Sequence, residues 1–382
     1  MNAPSAANYR FHDLAPNVTS FLDDVLEGFS RAQKRLSAKY FYDERGSELF
    51  EAICDLPEYY PTRTELGIMR QHAHSMATRI GPKALLIEYG SGSSTKTPIL
   101  IDAMQPAGYV PIDISRDHLM QSALALAQAH PELPVRAVCA DYTRQLVLPN
   151  FDDIDFQRKL VYFPGSTIGN FDRNETDRFL RQIAQVVGAK GGALIGVDLK
   201  KDPAALHAAY NDAAGVTAAF NMNVLARINR ELGGDFDLNG FRHHAFYDEY
   251  LGRIEMHLLS LRTQAVTIAT KRFSFREGET IHTEISCKYS IEEFQAIARH
   301  AGLAASDVWI DPARLFSVHH LTVPLVGEYP ISREIVSATS LTRSAQLQRM
   351  RSDGASTEIP ATRRFSSSRI PAPIQPTPAS SS

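Results

Sequence analysis

Hydrophobic positions in the middle of the chain form short apolar runs, separated by stretches with helical periodicity. Five such runs are predicted to be strands: residues 84–90, 109–115, 135–142, 159–167 and 191–199. The segments between them place apolar residues three or four positions apart, as helices that cover a sheet do. Strands that alternate with helices in this way predict an α/β fold with a doubly wound, mostly parallel sheet.

The alternation breaks after the fifth run. Residues 203–232 have a helical pattern, and residues 241–290 are rich in strand-like segments. The strand-helix rhythm then resumes at 291–303 and 316–325. We therefore predict one α/β domain interrupted by an α+β segment at roughly 200–290, and the 60 N-terminal residues could join either part.

The composition is that of a globular protein, with 382 residues, 44% hydrophobic, 22% charged and a formal net charge of −3. A net charge so close to zero produces no electrostatic field that would attract nucleic acid or anionic lipid. No apolar run approaches the roughly 20 residues that a membrane span needs, and the N-terminus lacks the features of a signal peptide. We expect a cytoplasmic monomer that acts on a small molecule, without nucleic acid or membrane partners.

The three cysteines, Cys54, Cys139 and Cys287, are odd in number and far apart. This argues against a disulfide framework and against a zinc site, and we predict no metal. From about residue 330 the chain is rich in Ser, Pro, Arg and Thr, with almost no aromatic residues. Such a segment cannot bury enough apolar surface to offset its chain entropy, so we predict a disordered tail at 330–382.

The first predicted strand runs into a glycine-rich loop, IEYGSGSSTKT at 87–97. The loop misses two nucleotide-binding motifs by one residue each, because Thr95 stands where a Walker A loop has its second Gly and a dinucleotide fingerprint its third. A ligand with a ribose and an adenine but no phosphate fits such a loop better. S-adenosylmethionine is a ligand of this kind, and Lys96 would be free to meet its carboxylate.

Three further strand ends support a nucleoside site, since ligands of open α/β sheets lie outside the carboxyl ends of the strands. The second strand ends at Asp113, about 20 residues beyond the glycine turn, where a carboxylate can hold a ribose. The third ends in Asp141 and Tyr142, a carboxylate beside an aromatic ring that suits a purine. The fourth ends in FPGSTIGN (163–170), a loop rich in glycine and polar residues. Each feature alone occurs in ordinary turns and caps, whereas the four together favour a nucleoside site.

With these motifs in hand, the chain from about Tyr40 to Val326 resembles the L-histidine Nα-methyltransferases, which form hercynine in ergothioneine biosynthesis. The motifs that carry the resemblance are the glycine-rich loop, FYDERGSELFEAI, LPEYYPTRTE, FPGSTIGN, AYNDAAGVTAAFNMNVL, RIEM and TEISCKY. The resemblance implies a Rossmann-like S-adenosylmethionine-dependent methyltransferase domain at 64–199 and 291–326. It also implies an inserted α+β domain that binds histidine, formed by 10–63 and 200–290.

The resemblance also implies the residues of the site. Those that hold the cofactor would be Gly90, Gly92, Lys96, Asp113, Asp141 and Tyr142. Those that bind the substrate would be Tyr59, Thr167, Asn170, Tyr210, Phe220, Met256, Glu284 and Ser286. Asn170 and Tyr42 would assist catalysis. Tyr142 replaces the Phe of some relatives, which is a mild change at the adenine.

The expected chemistry is transfer of a methyl group to the α-amine of histidine, three times in succession. Glu284 and Ser286 are two apart on a predicted strand, so both face one side and can bind the two nitrogens of an imidazole. Asn170 can orient the amine, and Tyr59 and Tyr210 can donate to the carboxylate. Two alternatives stay open, namely a methyltransferase for another amino acid or amine, and a non-catalytic binding protein. Without the resemblance, a merely structural role for Tyr59 and Glu284 would be favoured.

Overall fold

The structure is a computed structural model that describes residues 6–14, 20–92 and 96–324, so the predicted tail lies outside the described residues. Its strands are β1 (Tyr9–Asp13), β2 (Lys34–Arg35), β3 (Ala84–Tyr89), β4 (Gly108–Asp113), β5 (Val135–Cys139), β6 (Arg158–Phe163), β7 (Gly192–Asp198), β8 (Phe241–Asp248), β9 (Arg253–Ser260), β10 (Gln264–Ile268), β11 (Lys271–Phe275), β12 (Thr280–Cys287), β13 (Ala304–Ile310) and β14 (Phe316–Thr322). Its α-helices are α1 (Phe21–Ser30), α2 (Glu44–Cys54), α3 (Tyr60–Ile80), α4 (Thr97–Met104), α5 (Arg116–Ala129), α6 (Arg173–Val187), α7 (Pro203–Tyr210), α8 (Val216–Leu232) and α9 (Ile291–His300). None of the described helices combines the length and the apolar character that crossing a membrane requires.

The larger sheet has the strand order β1-β5-β4-β3-β6-β7-β14-β13. Neighbouring strands from β1 to β7 in this order are parallel, whereas β14 is antiparallel to both β7 and β13. From β3 the chain first adds β4 and β5 on one side of the sheet, and then returns to add β6 and β7 on the other side. This change of side opens a crevice outside the carboxyl ends of β3 and β6. The predicted α/β fold with a mostly parallel sheet is confirmed.

Alternating side chains of β3 are buried on opposite faces of this sheet. Leu85, Ile87 and Tyr89 pack into one core together with apolar residues of α6 and α9. Ala84 and Leu86 pack into a second core with residues of α3, α4 and α5. Because both faces are covered by helices, every position of the strand except Glu88 is apolar or aromatic, and this is why its position was predicted correctly.

The smaller sheet has the order β2-β12-β9-β8 and belongs to the predicted α+β segment. Strands β8, β9 and β12 pair antiparallel, and α7 and α8 precede them in the chain, as the sequence predicts. A third core joins this sheet to α8 and to α1 and α2 of the N-terminal segment, with Phe29, Phe41 and Phe220 among its members. Some residues of this core, such as Phe220 and Met256, also line the cavity described below.

The sequence patterns do not predict the two edge strands of the larger sheet. Tyr9–Asp13 pairs in register with Val135–Cys139, so residues 10–13 lie on the larger sheet and not with the substrate-binding segment to which we assigned them. At the other edge, Ala304–Ile310 pairs with β14. Both strands mix exposed and half-buried positions, so neither forms an apolar run. The remaining domain boundaries stay a prediction.

Candidate active site

The turn after β3 has backbone conformations that glycine adopts most readily. Gly90 and Gly92 have φ angles of 70° and 30°. The Gly92 N–H donates to Asp113 Oδ2 at 3.3 Å, which ties the turn to the end of β4. A Cβ atom on Gly90 would lie 3.2 Å from the hydroxyl oxygen of Tyr142. Three predicted strand ends therefore surround one turn, while Thr95 lies outside the described residues.

Asp113 is placed to accept hydrogen bonds from a ligand. Its Oδ1 accepts the Ser115 N–H at 2.8 Å, and its Oδ2 accepts the Gly92 N–H. Burial raises the pKa of Asp113, and the two backbone N–H groups oppose that effect. Each carboxylate oxygen keeps a lone pair, so the group can accept from two neighbouring hydroxyls such as those of a ribose.

Tyr142 and Asp141 stand side by side at the end of β5. The Tyr142 ring stacks on Tyr89, with ring centroids 5.5 Å apart and an interplanar angle of 14°. Phe163 meets the same ring at 5.8 Å. Asp141 Oδ1 accepts from the N–H and hydroxyl of Thr143 at 3.0 and 2.6 Å, which fixes its orientation. The pair has the chemistry that we predicted for an adenine, a flat apolar face with an acceptor beside it.

Lys96 already has one partner, which the sequence did not predict. Its ammonium forms an ion pair with Glu65, a side chain that is fully buried. The same carboxylate accepts the Gly165 N–H, with oxygens at 3.1 and 2.9 Å. One of the three N–H donors of Lys96 is thus engaged, and Glu65 links the glycine-rich turn to the loop after β6. Glu65 lies inside helix α3, so no strand-end argument could identify it.

A cavity of about 660 Å³, including its open mouth, lies beside the loop after β6. Its walls come from the N-terminal segment, from that loop, and from the smaller sheet with its helices. The structure brings together in these walls every residue predicted for substrate binding or catalysis: Tyr42, Tyr59, Thr167, Asn170, Tyr210, Phe220, Met256, Glu284 and Ser286.

One wall of the cavity is aromatic. The rings of Tyr42 and Phe220 lie 5.7 Å apart, and Phe50 contacts both at 5.5 and 6.0 Å. Tyr59 stands between Phe50 and Tyr210, at 6.4 Å from each. Tyr42 is 43% exposed, so part of its side chain is open to solvent at this wall. Phe50 was not predicted, because a phenylalanine on an amphipathic helix gives no signal beyond packing.

The loop after β6 presents Asn170 to the cavity. The loop closes in a 3₁₀ turn, Thr167–Asn170, preceded by Ser166 with a φ of 56°. A Cβ on Gly169 would lie 2.8 Å from the carbonyl oxygen of Cys287, so the turn packs directly on β12. Among the described residues the Asn170 side chain has no hydrogen-bond partner, and its amide is available to a ligand.

Glu284 and Ser286 both point from β12 into the cavity, as their spacing predicts. Burial raises the pKa of Glu284 to about 7, and the Lys288 ammonium opposes this shift. Within the described ranges no ion pair or hydrogen bond involves the Glu284 side chain. A carboxylate that titrates near neutrality and faces a cavity beside a hydroxyl is a candidate ligand-binding group.

Behind this wall lies a buried ionic cluster that the sequence analysis missed. Lys288 is 2% exposed, and its ammonium contacts Asp198 Oδ2 at 2.7 Å, Ser286 Oγ at 2.7 Å and the Tyr210 hydroxyl at 3.1 Å. One signal could have revealed it. Lys288 lies one residue beyond the end of β12 and continues the period of two set by Glu284 and Ser286, so its side chain follows theirs on the same side.

Asp198, at the end of β7, is held from several sides. The Tyr60 hydroxyl donates to both carboxylate oxygens at 2.8 Å, and Lys201 forms a second buried ion pair. Burial alone would raise the pKa of Asp198, but the two ammonium groups outweigh burial and lower it. Burial lowers the pKa of Lys201 to about 8, with Lys288 adding to this effect and Asp198 opposing it.

Away from the cavity, ligand atoms of Glu255, His257 and His282 lie within 4.8 Å of one another. Strand alternation places Glu255 and His257 on the opposite face of β9 from the cavity residue Met256. Arg253 donates to Glu255, and the two imidazole rings stack at 4.8 Å with an interplanar angle of 24°. An ion cannot lie in the planes of two stacked rings, so this arrangement does not form a metal site as it stands.

The fold, the turn after β3 and the cavity beside the loop after β6 define a class of protein. A doubly wound sheet holds a glycine-rich turn tied to Asp113 at its switch point, and Glu65 links this turn to the loop that borders the cavity. This is a Rossmann-like, S-adenosylmethionine-dependent methyltransferase. The family model for SAM-dependent, histidine-specific methyltransferases matches residues 21–323, and the chain belongs to this family.

Proteins similar to this chain have names that agree with the family. A histidine N-alpha-methyltransferase of Mycolicibacterium smegmatis is 41% identical over 82% of this chain and 98% of its own length. One from Mycobacterium tuberculosis is 39% identical over 77% of this chain and 92% of its own. Ergothioneine biosynthesis protein 1 of Neurospora crassa is 32% identical over 72% of this chain, which corresponds to 32% of that longer protein.

Proposed function

We propose that this protein transfers three methyl groups from S-adenosylmethionine to the α-amine of L-histidine, forming hercynine, the first step of ergothioneine biosynthesis. The observation that carries the proposal is the cavity wall formed by Glu284 and Ser286, which faces a space bordered by Asn170. Glu65 ties the edge of this cavity to the cofactor turn through Gly165 and Lys96. Family membership supports the same reaction.

The methyl donor fits the turn after β3. Gly90 and Gly92 let a ligand approach the backbone, and Asp113 keeps lone pairs for ribose hydroxyls. Asp141 and Tyr142 would hold the adenine, and Lys96 keeps two N–H donors for the carboxylate. Bound S-adenosylmethionine supplies an electrophilic methyl carbon next to its sulfonium.

The substrate side chain would lie against β12. The Glu284 carboxylate accepts a ring N–H, and Ser286 contacts the second ring nitrogen. Phe220, Met256 and Thr167 bound the remaining space. An amino acid without two ring nitrogens would leave these polar groups unpaired, which is the basis of strong discrimination.

The α-amine must lose one proton before each of the three transfers, because only a neutral amine has the lone pair that attacks carbon. The Asn170 side-chain carbonyl would orient the amine, and Tyr42, exposed at the cavity, would pass the proton to water. Tyr59 would donate to the substrate carboxylate, whereas the single hydrogen of the Tyr210 hydroxyl is already donated to Ser286 Oγ, so the donation predicted for Tyr210 is not available. The chain thus acts mainly by positioning two reactants.

The competing function is methylation of another amino acid or small amine. Incubation with S-adenosylmethionine and each common amino acid in turn, followed by mass spectrometry, separates the two. We expect histidine to gain up to three methyl groups. Methylation of a different amino acid, with histidine unchanged, would overturn the proposal. The expected monomer, the cytoplasmic location and the absence of a metal remain predictions.

The division of the site into two halves has its own test. Glu284→Ala should lose the preference for histidine while the Kd for S-adenosylmethionine changes less than about threefold, since Glu284 does not border the cofactor turn. Isothermal titration with each ligand measures both quantities. An equal loss of affinity for both ligands would contradict this division of labour.

A further inference from the structure

Lys288 uses all its hydrogen-bonding capacity inside the protein. Its three N–H donors match its three contacts, with Asp198, Ser286 and Tyr210. It lines the floor of the cavity but has no donor left for a ligand. Any effect of Lys288 on a bound ligand must therefore pass through the groups that it holds.

Ser286 is the group most constrained by this contact. Its Oγ accepts one hydrogen bond from Lys288 at 2.7 Å and another from the Tyr210 hydroxyl at 2.9 Å. A hydroxyl oxygen has two lone pairs, and both are now occupied. The one remaining function of Ser286 is to donate its own hydrogen, and the cavity is the open direction.

We propose that Lys288 is a positioning residue for substrate specificity, which fixes Ser286 as a hydrogen-bond donor so that the bound side chain must present an acceptor nitrogen there. The inference rests on the proposed function and deepens it. Glu284, on the same face of β12, completes the selection, because its ionised carboxylate can only accept a hydrogen bond and therefore binds the ring N–H. The site thus selects one neutral imidazole tautomer in one orientation.

The charge of Lys288 is secured by Asp198. Burial works to lower the pKa of Lys288, but the Asp198 carboxylate outweighs burial and raises it above the ordinary lysine value. The ammonium is therefore protonated throughout the physiological range, and its donation to Ser286 does not vary with pH. Asp198 also keeps Lys201 and Tyr60 as partners, so it stays compensated when Lys288 is replaced.

A double-mutant cycle tests the inference on the full chain. The Kd for histidine is measured by calorimetry, in the presence of S-adenosylhomocysteine, for wild type, Lys288→Met, Ser286→Ala and the double variant. We expect each single change to raise this Kd by about ten- to a hundredfold. The double variant should be no weaker than the weaker single variant, because Lys288 acts through Ser286. The Kd for S-adenosylhomocysteine should stay within about twofold.

Two further variants separate positioning from a general structural role. Lys288→Gln keeps an N–H donor without the charge and should restore most of the affinity lost in Lys288→Met. Lys201→Met removes the other cation on Asp198, which does not contact Ser286, and its effect should add to that of Ser286→Ala. The inference would be overturned if the increases in the Kd for histidine caused by Lys288→Met and by Ser286→Ala multiplied in the double variant. An equally large increase in the Kd for S-adenosylhomocysteine would also overturn it.

A ring analogue tests the direction of the hydrogen bond. Pyrrolylalanine has an N–H for Glu284 but no acceptor nitrogen for Ser286. Wild type should bind it at least about tenfold more weakly than histidine, and Lys288→Met should reduce this preference because Ser286 can then turn away. Equal affinity of wild type for both would overturn the inference. If wild type methylates a different amino acid, the proposed function fails, while the same cycle with that substrate still tests Lys288.

Discussion

At the scale of single residues, Glu284 occupies a position that disfavours its own charge. Burial raises the pKa of this carboxyl to about 7, and the Lys288 ammonium only partly offsets the effect. The described part of the chain offers Glu284 no hydrogen-bond donor, so only the more distant Lys288 charge favours the ionised form in the free protein. A ring N–H of the substrate would supply the missing donor, and binding should therefore favour ionised Glu284.

This shift predicts a dependence of stability on pH. The folded protein keeps a proton on Glu284 at pH values where an unfolded glutamate has lost it, so the stability contributed by neutral Glu284 is present at low pH and is lost as pH rises through about 7. Glu284→Gln is neutral at every pH. Without ligands, it should exceed wild type in free energy of unfolding by about 1–3 kcal/mol at pH 8, and by much less at pH 5. Urea unfolding between these values measures the difference, and a constant difference would contradict the assignment.

At the scale of elements, the turn after β6 and strand β12 form one packed unit beside the cavity. The turn carries Asn170, the strand carries Glu284 and Ser286, and Gly169 is the point at which the two backbones meet. A side chain on Gly169 would reach within 2.8 Å of the Cys287 carbonyl oxygen. The close approach therefore determines the distance between Asn170, which we propose binds the amine, and the two groups that we propose bind the ring.

Gly169→Ala should move the turn after β6 away from β12 without unfolding the protein. The added methyl pushes the turn from β12, which displaces Asn170 and should lower kcat for histidine methylation by about ten- to a hundredfold. Gly67→Ala is the matched control, because a Cβ at Gly67 meets nothing within 4 Å in the middle of α3. It should leave kcat unchanged and stabilise the fold by about 0.5–1 kcal/mol. An unchanged kcat in Gly169→Ala would show that the contact does not position Asn170.

At the scale of the whole molecule, separate cores support the two halves of the site. The cofactor turn rests on the cores of the larger sheet, and the cavity rests largely on the core of the smaller sheet. Buried ionic contacts connect them, through Glu65 on one side and Asp198 on the other. The described residues accordingly belong to one compact unit.

Ligand binding at the cofactor turn should therefore stabilise both halves together. At 100 times its Kd, S-adenosylmethionine should raise the free energy of unfolding by about 2.7 kcal/mol, because it binds only the folded chain. We expect one thermal transition that moves as a whole, recorded by fluorescence and by circular dichroism. Two transitions, of which the cofactor shifts only one, would show that the halves unfold independently.

Much of the fold and of the site follows from local patterns in the sequence. The apolar runs predict β3 to β7, because buried parallel strands are hydrophobic on both faces. Strand ends locate Asp113 and the pair at 141–142, and the period of two places Glu284 beside Ser286. The edge strands β1 and β13 escape prediction, since an edge strand that is half exposed has no continuous apolar run.

The class of fold, the glycine-rich turn after β3 and nine of the residues that line the cavity therefore follow from the sequence alone. How the charged groups pair depends on the packed structure. It joined Lys96 to Glu65, and Lys288 to Asp198, which is 90 positions away in the sequence. Partners so far apart meet only when the sheets and helices pack, and a buried ammonium must then find a carboxylate to offset its lost hydration. That requirement, which acts on the packed protein, made Lys288 a support for Ser286.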